Sequence, residues 1–314
     1  MTPPASTSTI DALCFDASDP HRQAQFWAAA LGWNLDESDD EVALSPNDGT
    51  RFGILFEPIL EKKTGQNNIH LDLTTTSVED QQDIVDRLIG LGARHLDIGQ
   101  REDEGHVVLG DPEGNEFCII EPHNEFLAGC GRLGAINADG TRKVGQFWSA
   151  ALGWPLVWDQ DEETAIRAPD RTGPLITWSG PPLMKKFGKN RLHLDIAPPK
   201  HVEHRDEVGR LIELGATLID IGQGDVNWVV MADPTTSSAS CALDSRCCAH
   251  ISGPFSALRP SEIGTYGIGQ PPEIVQWLVA PSNPESHESP PHSQQVRSPL
   301  PPHFVAGRSF CCPL

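Results

Sequence analysis

A repeat with a spacing of about 122 residues constrains this chain more than any other feature. Phe26-Trp27-Ala28-Ala29-Ala30-Leu31-Gly32-Trp33 returns as Phe147-Trp148-Ser149-Ala150-Ala151-Leu152-Gly153-Trp154, and Asn68-Ile69-His70-Leu71-Asp72-Leu73 returns as Arg191-Leu192-His193-Leu194-Asp195-Ile196. Leu91-Gly92-Ala93 and Ile98-Gly99-Gln100 return as Leu214-Gly215-Ala216 and Ile221-Gly222-Gln223, and the turn Asp111-Pro112 as Asp233-Pro234, where the match stops. The chain is a tandem duplication. Residues 8–125 read as the first copy, 126–131 as a linker, 132–234 as the second copy with its last strand missing or scrambled, and 235–314 as a tail.

The break has a reading of its own. Asn115-Glu116-Phe117-Cys118 can be encoded by AAC-GAG-TTC-TGC, and that string read one nucleotide late gives Thr-Ser-Ser-Ala, which stands at Thr236-Ser237-Ser238-Ala239. Five of eight Cys and twelve of 27 Pro follow the break, whereas all Met and Lys precede it, as expected if residues 235–314 come from a shifted frame. A Pro/Ser-rich disordered tail is the other reading. Resequencing across the junction separates the two.

The formal charge of −21 resides almost wholly in the copies, because the tail carries five acids against four arginines. Such a surface repels phosphate backbones and anionic lipid, which excludes nucleic acid and membrane as expected partners. No apolar stretch approaches the roughly 18 residues of a membrane span, and residues 1–10 lack the basic and apolar regions of a secretory signal, so the expected location is the cytoplasm. Cys14, Cys118 and Cys130 occupy dissimilar places in the repeat, as reduced thiols do.

Residue pattern predicts two β-α-β-β-β units per copy. Ile10 to Phe15 reads as a strand, and Asp19-Pro20 as a helix start with a side-chain acceptor before Pro at the first turn. Phe26, Trp27 and Leu31 face inward, and Gly32 ends the helix. Strands at residues 33–36, 41–45 and 51–56 complete the unit. The order recurs with a strand at residues 69–73, an amphipathic helix at 78–91, and strands at 94–98, 106–109 and 116–120. A unit of this kind leaves its curved sheet half covered, so two must pair edge to edge into a half-open bowl with helices outside and a cleft for a ligand. The expected fold class is α+β.

These pieces, with Gly110-Asp111-Pro112-Glu113-Gly114-Asn115-Glu116-Phe117, resemble the vicinal oxygen chelate superfamily, and within it the glyoxalase-like domains related to bleomycin resistance proteins, in tandem. The resemblance covers nearly all of residues 8–234. It implies that metal-using members hold one divalent ion with His or Gln on first strands and Glu on last strands. His70 and His193 match first-strand positions. The closing-strand ligand position holds Cys118, the first unit's position falls near Ala12, and Glu116 is expected on the opposite face from Cys118. Glu57 at a strand end, or Cys118 itself, is the candidate to complete the set beside His70.

The expected cleft residues are His70, Asp72, Cys118, His193, Asp195 and Trp228, with metal ligation assigned to His70 and Glu57. Each His also reads as a hydrogen-bonded cleft histidine, and Cys118 as a small buried core residue. The leading expectation is binding of a small apolar or aromatic molecule without an obligatory cofactor, in the manner of bleomycin-resistance-type proteins. The alternative is a metal-dependent lyase, isomerase or dioxygenase, for which the implied cofactor is a divalent metal. The sequence leaves the oligomeric state open.

Overall fold

The duplication becomes three β-α-β-β-β units and a fourth described as β-α-β-β in the computed structural model, which describes residues 7–38, 41–101, 104–184, 190–220, 226 and 228–234. The first unit comprises β1 (Thr9–Ala17), α1 (Pro20–Leu31), β2 (Asn34–Glu37), β3 (Val42–Ser45) and β4 (Gly53–Pro58). The second comprises β5 (Ile69–Leu73), α2 (Val78–Gly90), β6 (Arg94–His95), β7 (Val107–Gly110) and β8 (Glu116–Ile119). In the second copy these recur as β9 (Leu133–Ala138), α3 (Arg142–Leu152), β10 (Leu156–Gln160), β11 (Glu163–Ile166) and β12 (Leu175–Trp178), then β13 (Leu192–Ala197), α4 (His204–Leu214), β14 (Thr217–Leu218) and β15 (Met231–Ala232).

Local chemistry sets the helix ends as the sequence suggests. Asp19 Oδ1 accepts from Arg22 N at 3.1 Å, and Gly32 takes φ 71°, a left-handed value that glycine adopts without steric cost. Trp27 is fully buried on α1, its ring 5.1 Å from Phe117 of β8. These contacts belong to one continuous core between the four helices and the outer faces of the sheets.

Sheet pairing departs from the sequence reading in one respect. The units that meet edge to edge come from different copies: β1 pairs antiparallel with β13, and β5 pairs antiparallel with β9. The result is an eight-stranded sheet in the order β10-β11-β12-β9-β5-β8-β7-β6 and a five-stranded sheet in the order β13-β1-β4-β3-β2. The physical reason lies in chain direction. β8 runs parallel to β5, so a chain leaving β8 can reverse through the linker and lay β9 antiparallel on the other edge of β5. Thr74 N donating to Arg132 O at 3.0 Å ties the two together just beyond that pairing.

Among the described residues the two copies are not symmetric. Where β6, β7 and β8 extend the large sheet, their counterparts β14 and β15 form a separate two-stranded sheet, and among the described residues nothing pairs with the outer edge of β13. The shifted-frame reading of residues 235–314 lies outside the described residues. The expected strand at 94–98 is shorter, ending at His95.

Candidate functional site

Strand alternation directs one face of the eight-stranded sheet to the helices and the other into a bowl. Leu71, Leu73, Phe117, Ile119, Ile136 and Ile176 take the helix side. Their neighbours Val108, Cys118, Ala135, Ala165 and Leu175 form a second apolar cluster on the concave side, joined by Phe126, Leu127 and Trp158. The inner face is therefore built from small side chains, with an aromatic pair, Phe126 and Trp158, whose ring centroids are 5.9 Å apart and tilted at 82°. Phe126, Leu127 and Cys130 belong to the linker, and Arg167 Nη2 fixes it by donating to Gly129 O at 2.7 Å. Burial pushes the Cys130 thiol above its ordinary range against the opposing charge of Arg167, which disfavours a reactive thiolate.

A polar stripe crosses this apolar floor. The pairing registers place His70 opposite Asn137, Asn137 opposite Thr177, and Thr177 opposite Ala165, so β5, β9, β12 and β11 each give one residue to a single row. All three polar members are buried, Asn137 and Thr177 at 1% exposure. Asn137 Nδ2 and Thr177 Oγ1 find no hydrogen-bond partner among the described residues. In the next row Asp72 lies opposite Ala135 and Cys118. His70 Nε2 is 3.3 Å from Asp72 Oδ1, and one ligand atom each of His70, Asp72 and Cys118 falls within 4.8 Å of the others.

The second bowl is built from β1, β4 and β13. His193 lies opposite Cys14, and Asp195 opposite Ala12. Cys14, His193 and Asp195 form a buried cluster within 4.8 Å. Glu57 Oε2 is 3.8 Å from His193 Nε2, and Asp195 Oδ1 3.6 Å from it. Glu57, assigned beside His70 from the sequence, is thus carried by β4 to His193 in the other bowl. Trp228 is half-buried on the segment leading into β15. Glu116 corrects another expectation: two residues from Cys118 on one strand, it shares that face, but Lys63 Nζ at 2.6 Å and Asn67 N at 3.2 Å hold its carboxylate.

A family profile described as glyoxalase-like domain matches residues 12–120 and again 135–240. The chain belongs to the glyoxalase-like domain family. It carries that domain twice, as a tandem member of the vicinal oxygen chelate superfamily. Glyoxalase I from Zea mays superposes with a TM-score of 0.52 at 14% identity, covering 73% of this chain and 90% of that one. A point mutant of the same maize enzyme gives 0.51 at 15%, covering 74% and 90%. At this identity the likeness establishes the fold. No protein of curated function matches the chain.

The glyoxalase-like fold implies a metal, and the donors fit one in kind: imidazole, carboxylate and thiol converge in each bowl. In the first bowl His70, Asp72 and Cys118 would hold it, and it would supply Lewis-acid polarisation of a bound oxygen. The residues that sequence reasoning missed are Asn137, Thr177 and Cys14. For Cys14 and Asn137 a signal was available: the offset of 123 residues relating His70 to His193 also relates these two, the residues facing each histidine.

Proposed function

We propose that the first bowl binds a small, largely apolar molecule with a polar edge, and that binding is this domain pair's activity. The supporting observation is the pair of unsatisfied buried groups, Asn137 Nδ2 and Thr177 Oγ1, which lie beside His70 and Asp72 on a concave face otherwise lined by apolar side chains. A buried donor without a partner costs about 1–3 kcal/mol, so a ligand presenting an acceptor there recovers that cost while its body contacts Ala135, Ala165 and Leu175. Phe126 and Trp158 offer a planar ligand an aromatic edge. The arrangement suits ligands of the class sequestered by bleomycin-resistance-type proteins.

The test is a fluorescence screen of small aromatic acids, amides and ketones against the full chain, read against Trp158→Phe. Hits should change emission in the parent and lose most of that change in the variant. Hits that respond identically in both would place binding elsewhere.

A second reading, metal-assisted lyase, isomerase or dioxygenase chemistry, is favoured by the His70, Asp72 and Cys118 cluster. Elemental analysis of the full chain purified without chelator, beside His70→Ala, separates the readings. Stoichiometric metal lost on substitution supports chemistry; equal trace metal in both supports binding alone.

A further inference from the structure

The two bowls differ in the donors that surround their histidines. In the second bowl Cys14 of β1 lies opposite His193 of β13, and Leu55 of β4 lies beside Cys14. Asp195 comes from the next row one way, opposite Ala12, and Glu57 from the next row the other way, beside Asp16. Strand alternation sends Leu13, Phe15, Phe56, Leu192 and Leu194 to the helix side, which leaves Cys14, His193, Asp195 and Glu57 on the concave face. In the first bowl Asn137 stands at the place of Cys14. Thr177 beside Asn137 answers to Leu55 beside Cys14, so Ser179 falls at the place of Glu57. There the thiol comes instead from Cys118 of β8, in the row of Asp72.

The spacing in the second bowl suits a shared ion. One ligand atom each of Cys14, His193 and Asp195 lies within 4.8 Å of the others, and the three residues are buried. His193 Nε2 stands 3.6 Å from Asp195 Oδ1 and 3.8 Å from Glu57 Oε2, too far for strong hydrogen bonds. Nitrogen, oxygen and sulfur ligands of one tetrahedral ion, at bonds of about 2.0–2.3 Å, stand about 3.4–3.6 Å apart. Such an ion sits between the donors themselves and needs no further cavity. One thiolate and one carboxylate balance a divalent charge, so the buried cluster would carry none in excess. Glu57, whose side chain is 34% exposed, reaches the fourth position from the end of β4.

We propose that the second bowl is a thiophilic metal site, in which Cys14, His193, Asp195 and Glu57 bind a zinc-class divalent ion in preference to the first bowl. The fold implies imidazole and carboxylate ligands; the thiolate of Cys14 is this chain's own addition. It turns the site away from the hard ions magnesium and calcium, toward zinc and its neighbours. The thiol proton leaves to solvent as the ion binds, and sulfur and metal form the new bond.

The test titrates cobalt(II), a spectroscopic stand-in for zinc, into the reduced full chain after treatment with chelator and dialysis. A stoichiometric amount should raise a thiolate-to-cobalt charge-transfer band in the near ultraviolet, which zinc then bleaches. The band should vanish in Cys14→Ser and persist in Cys118→Ser and His70→Ala. Glu57→Gln, at a part-exposed position that spares the fold, should keep the band but weaken cobalt binding about tenfold or more, as loss of even an outer partner of a metal ligand does. No band in the parent, or a band lost with Cys118→Ser, overturns the proposal. A band that survives both cysteine variants would assign the ion to other thiols of the chain and overturns it too, as does parent affinity in Glu57→Gln.

Discussion

Buried polar side chains divide into those whose hydrogen bonds hold the fold and those that the proposed ligand would satisfy. Asp111 is of the first kind. Its Oδ2 accepts from Trp27 Nε1 at 3.2 Å, Asn115 Nδ2 at 2.9 Å and Gln23 Nε2, and its Oδ1 accepts from the backbone of Glu113 and Asn115. Burial raises its carboxyl above the ordinary range despite these donors. Asp111→Ala should strand several donors at once and cost about 3 kcal/mol or more in chemical denaturation. Asn137 is of the second kind. Asn137→Leu removes an unsatisfied donor while keeping the branching of the side chain, so it should stabilise the free protein by about 1 kcal/mol while weakening ligand binding about tenfold. A calorimetric stability scan beside a binding titration checks both signs; a destabilised variant would show that the amide is structural.

Among the helices and strands, α4 is held in part by a polar contact that its first-copy counterpart lacks. Its Glu207 takes the place of the first copy's buried Ile84 and is bound by Ser8 Oγ and by Arg210 Nη2 at 2.6 Å. Burial pushes this carboxyl up, but the hydrogen bonds from Arg210 and Ser8 and the Arg210 charge outweigh it, leaving it below its ordinary value of 4.5. A carboxyl lowered in the folded state stabilises above its unfolded pKa, and that contribution is lost as pH falls through the folded value. Acid should therefore loosen the contact between α4 and the N-terminal segment below about pH 4.5. Glu207→Gln should make stability less dependent on pH across that window, measured as Tm between neutral and acidic buffers; an unchanged slope would contradict it. Helix starts and ends were legible because they depend on local chemistry, as at Asp19 and Gly32. The strand at Arg94–His95 was overextended because its length depends on its partner β7.

Across the molecule, the copies interlock through both sheets. β1 takes its partner from copy two, and so does β5. Duplication, unit order and the outward helices could be read from the repeat, which depends on recurring motifs alone. The partner of each unit could not, because His70-Leu71-Asp72 and His193-Leu194-Asp195 present nearly the same edge. That ambiguity also hid the site: with cross-copy pairing unknown, Asn137 and Thr177 could not be set beside His70, and Glu57 was assigned to the wrong bowl. Residues 1–131 expressed alone should expose the edges of β1 and β5 and associate with rising concentration in sedimentation velocity. A monomeric, cooperatively folding fragment would mean that a copy can close its bowl internally. Among the described residues no helix is long and apolar enough to cross a membrane.

The proposed ligand site lies in the first bowl, on the stripe of His70, Asn137 and Thr177, rather than at His193. Calorimetric titration of the strongest hit from the fluorescence screen into the full chain, His70→Ala and His193→Ala decides between the two bowls. A loss of about tenfold or more in affinity is expected with His70→Ala, and parent affinity with His193→Ala. Equal affinity in all three proteins, or a loss confined to His193→Ala, would contradict it.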